Sequence, residues 1–147
     1  MKTICGADCS SCPSQFQCGG CTATNGCPFG RQCFVAKYIQ TGGMDAYQAF
    51  VQGLISEINA LRIPGMTPVT TLVPLIGSFV NLSYPLPSGE TAKLLRDDEI
   101  YLGTQIPSLF DDGCGRCFGV VARENFLLVC EYGANAAAPE IAAYIRR

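Results

Sequence analysis

Ten cysteines and no histidine in 147 residues restrict what this chain can do more than any other feature. Without imidazole, Ser-His and Cys-His catalysis and histidine-ligated metal sites are excluded, which leaves thiolate chemistry or disulfides. Seven of the ten, Cys5, Cys9, Cys12, Cys18, Cys21, Cys27 and Cys33, fall within the first 33 residues, and Cys114, Cys117 and Cys130 lie beyond. The chain begins Met-Lys-Thr-Ile-Cys, with no apolar run of the kind a secretory leader carries. The most apolar stretch, residues 71 to 76, is short and broken by Pro74, so no membrane-spanning helix is expected. The expectation is a cytoplasmic protein with no membrane partner. In a reducing compartment, dense CxxC spacing reads as metal binding before it reads as disulfides.

Hydrophobic residues at 48% and charged residues at 15% exclude a disordered chain. The formal net charge is −2, so no basic field awaits a nucleic acid, and thiolates around a metal would deepen the negative charge. The partners that fit are a protein or a small-molecule ligand.

Three regions follow one another. Residues 1 to 27 are rich in Cys, Gly, Ser and Thr and lack apolar periodicity, so something other than a hydrophobic core must hold them, and a metal would do so. Residues 28 to 62 predict two helices. The first has Pro28 in its opening turn, an apolar stripe of Phe34, Tyr38 and Ile39, and Gly42-Gly43 at its end. The second is capped by Asp45, presents Tyr47, Phe50, Val51, Leu54, Ile55, Ile58 and Leu61 on one face, and stops at Ile63-Pro64-Gly65.

After a Pro-rich connection over residues 64 to 74, strands are predicted over residues 79–84 and 91–96, joined by a turn at 87–90. Further strands follow over 100–102, 117–123 and 126–132, with Glu124-Asn125 as a tight hairpin turn. The tail over residues 139–147 carries two signals, since Pro139-Glu140 suits a helix start while Ile141, Ala143 and Ile145 alternate as in a strand, and the alternation is taken to predict a last strand. The whole reads as α+β: a cysteine-rich metal-binding segment, two helices, then an antiparallel β-meander. Residues 1–41 form the cysteine-rich segment running into the first helix, and residues 42–147 the helix and sheet that pack with it as one unit.

Cys5, Cys9 and Cys12 stand in a CxxxCxxC arrangement, the spacing by which radical-SAM enzymes hold a [4Fe–4S] cluster. Those enzymes embed the loop in a large parallel barrel, which this chain is too short to supply. The pairs Cys9/Cys12 and Cys18/Cys21 are separated by five residues, and Gly19-Gly20 suits a knuckle whose amides face the sulfurs. Together they make the best set for a tetrahedral four-cysteine zinc site with bonds of about 2.3 Å. Cys5, Cys27 and Cys33 are alternates, and a 4Fe-4S cluster is the alternative cofactor.

The run CGADCSSCP at residues 5–13, with CGGC and the spaced Cys27 and Cys33, resembles a bacterial cysteine-rich family of unknown function with a CGxDCxxCP signature. The likeness covers residues 4 to about 41. It implies a cytosolic protein with a zinc-binding or iron–sulfur segment, and it extends ligand candidacy to Cys5, Cys9, Cys12, Cys18, Cys21, Cys27 and Cys33.

Cys114 and Cys117 form a separate CGRC pair followed by a strand-like sequence. Thioredoxin-type redox chemistry needs the first cysteine at a helix N-terminus, so the rival readings are a knuckle reaching the N-terminal metal or ordinary loop thiols. Cys130 reads as a small buried hydrophobe. Asp97-Asp98-Glu99, Asp111-Asp112, Glu124 and Glu131 read as solvated carboxylates. Three functions fit: a non-enzymatic binding or interaction module with a structural metal site, an iron–sulfur electron carrier or sensor, and a thiol-dependent enzyme using Cys114 and Cys117.

Overall fold

Aliphatic and aromatic residues crowd residues 99–132, and there they form the strands on which the rest of the chain is laid. The structure is a computed structural model that describes residues 4–5, 21–22, 24–76, 83–96, 98–110, 115–134 and 138–147. It is of the α+β class, with mixed, mostly antiparallel sheets. The described helices are α1 (Phe34–Gly42) and α2 (Met44–Ala60), preceded by a 3-10 turn at Pro28–Gly30. The strands are β1 (Gln32–Cys33), β2 (Val73–Ile76), β3 (Ser83–Pro85), β4 (Thr91–Lys93), β5 (Glu99–Pro107), β6 (Cys117–Arg123), β7 (Phe126–Tyr132) and β8 (Glu140–Arg146).

Strands β5 to β8 run as the expected antiparallel meander, and β3 pairs with β4 as a separate hairpin. The predicted turn at Glu124-Asn125 joins β6 to β7 with Arg123 opposite Phe126. Residues 79–82 of the predicted third-region strand lie outside the described residues. Strand β5 is longer than the predicted 100–102 because pairing with β6 carries it on to Pro107.

Two further strands depart from the meander. β1 pairs with β5 in parallel, and β2 pairs with it antiparallel, so Ile100 faces Cys33 on one side and Ile76 on the other. The stretch over 64–74 predicted as connection therefore ends inside a strand. Pro74 is tolerated there because β2 is an edge strand, where a missing amide breaks no second ladder.

The first helix starts later than predicted. Arg31 is extended and Cys33 pairs with Ile100, so Pro28 opens only the short turn and α1 begins at Phe34. Gly43, at φ +89°, separates the helices. Its amide donates to the Ile39 carbonyl at 2.8 Å, and its carbonyl accepts from the Tyr47 amide at 3.1 Å. One glycine thus closes α1 and opens α2, which corrects the prediction of Asp45 as cap: Asp45 sits in the first turn.

Phe34, Val35 and Ala36 of α1 and Tyr47, Leu54 and Ile58 of α2 pack on Ile100, Leu102, Phe118, Val120, Ala122, Leu127 and Val129 of the sheet. Each fully buried Val, Leu, Ile or Phe among them stabilises the fold by about 1.5–3 kcal/mol. Asn59 holds the following loop to α2, donating to the Val69 carbonyl at 3.0 Å and accepting from its amide at 2.8 Å. On the other sheet face, Tyr84 of the β3–β4 hairpin covers Cys130 and Tyr132. No helix among the described residues is long and apolar enough to cross a membrane.

Candidate metal centre

Cys33 sits where β1 ends and α1 begins, buried at 5% exposure beneath the helix. The turn at residues 21–26 is tied to it through one glycine. The Gly26 amide donates to the Cys21 carbonyl at 2.7 Å, and the Gly26 carbonyl accepts from the Cys33 amide at 3.0 Å. Gly26 has φ +85°, and a Cβ there would meet the Ala36 Cβ at 3.3 Å, so both conformation and space favour glycine. The Ile4 amide points at the Cys21 sulfur, 3.1 Å away. That N–H···S contact is the kind expected around a thiolate knuckle.

Cys5, Cys21 and Cys33 therefore come into one neighbourhood. Burial pushes the Cys33 thiol up, the Ala36 and Val35 amides oppose this, and the Cys5 and Cys21 thiols add to the rise. Tyr47 on α2 faces the same group: burial, with smaller effects of Cys5 and Cys33, pushes its phenol up to about 12. Cys27 caps the 3-10 turn, and its amide donates to Thr24 Oγ1 at 3.2 Å. Cys9, Cys12 and Cys18 of the best-spaced set lie outside the described residues, as does Cys114. Among the described residues, no group of three or more ligand-type side chains stands ready to hold a metal ion. What the described thiols supply is a soft donor set with a backbone amide directed at one sulfur, which fits zinc or an iron–sulfur centre better than an oxygen-preferring ion.

The remaining described thiols belong elsewhere. Cys117 opens β6 on the sheet face opposite Cys33, beside Cys130, Tyr132 and Tyr84. Its sulfur accepts from Gln105 Nε2 at 3.0 Å, and Cys130 donates to the Gly119 carbonyl at 3.5 Å. The strand after Cys117 is present as expected, and Cys130 is buried at 2% exposure. Among the described residues, the buried Tyr84 hydroxyl beside Cys130 has no partner of hydrogen-bonding geometry.

The carboxylates are less uniform than predicted. Asp98 is bound by Arg96 in bidentate fashion at 2.9 and 2.7 Å, and Glu131 is paired with Arg116 at 2.7 Å. Glu99, expected as part of a solvated face, is only 9% exposed and accepts from Arg123 at 2.6 Å. A signal was present in the sequence, since Glu99 adjoins the apolar run Ile100-Tyr101-Leu102 and so starts a buried strand.

These environments predict the alkaline behaviour. Burial raises the phenols of Tyr47, Tyr84 and Tyr132 and the thiol of Cys130. A group of this kind keeps its proton in the fold after the unfolded chain has lost it. Its stabilisation is complete below the unfolded value and is lost as pH rises towards the folded one. For Tyr47 that window runs from about 10 to about 12, with a slope of up to about 1.4 kcal/mol per pH unit. Cys130 begins near its ordinary value of about 9. Urea midpoints are expected to stay level from about pH 6 to 8 and to fall steadily from about pH 9. A midpoint that holds to about pH 11 would contradict this.

No family model, no curated protein and no solved structure matches the chain.

Proposed function

We propose that this chain is a cytoplasmic binding or interaction module whose cysteine-rich segment folds around a structural zinc held by four thiolates. The observation that carries the reading is the Ile4 amide directed at the Cys21 sulfur at 3.1 Å, with Cys5 and Cys33 drawn into the same neighbourhood. Spacing supports Cys9, Cys12, Cys18 and Cys21 as the ligand set, with Cys5, Cys27 and Cys33 as alternates. Cys21 belongs both to that set and to the thiols gathered around Cys33. A bound zinc would deprotonate the thiols and lend folding free energy to a segment with few apolar side chains. The resemblance of the CGxDCxxCP pattern to a bacterial cysteine-rich family agrees with this reading.

Metal analysis of the purified chain tests it. Zinc is expected at one ion per chain, with Cys21→Ser losing most of it and Cys130→Ser keeping it. Circular dichroism would show that Cys21→Ser retains the helices and sheet. Full zinc content in Cys21→Ser rejects Cys21 as a ligand. Iron with equal inorganic sulfide replaces zinc with a cluster and turns the reading to an electron carrier or sensor.

A further inference from the structure

The helix that begins beside Cys33 also forms one wall of a cleft of about 330 Å³ against the β5 and β6 end of the sheet. Glu99 is 9% exposed on its floor, with Oε2 accepting from Arg123 Nη1 at 2.6 Å and Oε1 at 4.0 Å from Arg96. The Arg123 guanidinium lies 5.5 Å from the Phe34 ring centre and 5.9 Å from that of Tyr101, which fixes its plane. Lys37 and Glu124 also line the cleft, and among the described residues neither forms an ion pair. The Lys37 ammonium has one long contact, 3.5 Å to the Asn25 carbonyl. Phe34 and Tyr38, edge to face at 5.7 Å, supply an apolar wall.

We propose that this cleft binds a small zwitterion of the α-amino-acid class. Its carboxylate would face Lys37 and Arg123, its ammonium Glu99 and Glu124, and an apolar side chain would lie against Phe34 and Tyr38. Arg123 and Glu99 are already paired with each other, which leaves one cation, Lys37, and one anion, Glu124, without an ion-pair partner among the described residues; a ligand of single net charge answers only one of them, whereas a zwitterion answers both. The volume is at the small end of ligand pockets and suits a molecule of amino-acid size. The buried pair itself is weak evidence of a stabilising role, because apolar replacements of such pairs are often neutral or better. The inference deepens the binding-module reading and does not depend on the metal.

The test titrates L-leucine into the full chain, followed by amide chemical shifts over residues 34–46 and 123–124. Two analogues are run beside it: 4-methylpentanoate, which lacks the ammonium, and 3-methylbutylamine, which lacks the carboxylate. Leucine is expected to give saturable shifts, with each analogue weaker by about tenfold or more, about 1.4 kcal/mol. Lys37→Ala and Glu124→Ala, both at unpaired rim positions, are expected to weaken leucine by about fivefold each while leaving the fold intact. No saturable shift, equal affinity for either analogue, or indifference to both variants would overturn the proposal. Metal content measured on the same sample separates the two readings: leucine binding without metal refutes the zinc site alone, and metal without leucine binding refutes the cleft alone.

Discussion

Phe118→Ala is expected to lower the free energy of unfolding by about 3–5 kcal/mol. Phe118 is 1% exposed in β6, opposite Ile106 of β5 and Glu131 of β7, and belongs to the cluster that joins both helices to the sheet. Truncation there removes the transfer free energy of a benzyl group and leaves a cavity that flanking strands, fixed by their ladders, cannot close. Against a total stability of about 5–15 kcal/mol this is a large fraction. Urea denaturation would show it as a shifted midpoint at constant slope. Leu109→Ala, at a side chain 70% exposed, serves as the control and should change stability by less than about 0.5 kcal/mol. A loss below about 1 kcal/mol for Phe118→Ala would mean that the sheet is not the centre of the fold.

Chelation of the metal-loaded protein is expected to raise protease cleavage within residues 1–27 by about two orders of magnitude while sparing residues 45–61 and 79–132. A hundredfold change corresponds to about 2.7 kcal/mol, well within the apparent binding free energy of a structural zinc. The asymmetry follows from what holds each part. Near the N-terminus the described ties are polar contacts, among them the Ile4 amide on the Cys21 sulfur, the two Gly26 backbone bonds and the Gln40 side-chain amide donating to Asn25 Oδ1 at 3.0 Å. In the second part, Leu54, Ile58 and the inner faces of β5, β6 and β7 are buried in one apolar cluster in which Cys33 is one small member among many larger side chains. Mass spectrometry of the fragments locates the cuts. Uniform digestion would show that the metal supports the whole fold, and unchanged digestion would remove the metal from the account.

Strands with two-residue periodicity and a tight turn were readable from composition and spacing alone. β6 and β7 stand at the predicted bounds because both are buried on a regular sheet and their turn leaves one register. The edges of the sheet were not readable in the same way. β1 has two residues and β2 contains Pro74, so neither carries a pattern of its own, and both become strands only because β5 offers them a partner. Local propensity is silent on such pairing. The helix boundary failed for a related reason: Pro28 and Asp45 are good local signals, but the pairing of Cys33 with Ile100 and the left-handed Gly43 set the actual ends. At the candidate site, cysteine spacing nominated the donors, while the approach of Cys21 to Cys33 depends on the Gly26 turn. Glu99 departs from the solvated acidic face expected of residues 97–99 because it opens β5 and is buried there.

The parallel pairing of Cys33 with Ile100 sets an order of events during synthesis. The cysteine-rich segment leaves the ribosome first, yet the strand that receives it, β5, is made only after both helices and the β3–β4 hairpin have emerged. Until then Cys33 has no sheet to bury it, and docking onto β5 closes over its side chain only once that strand has been made. A thiol-reactive probe should accordingly reach Cys33 in the finished protein slowly, at a rate limited by the opening of that pairing.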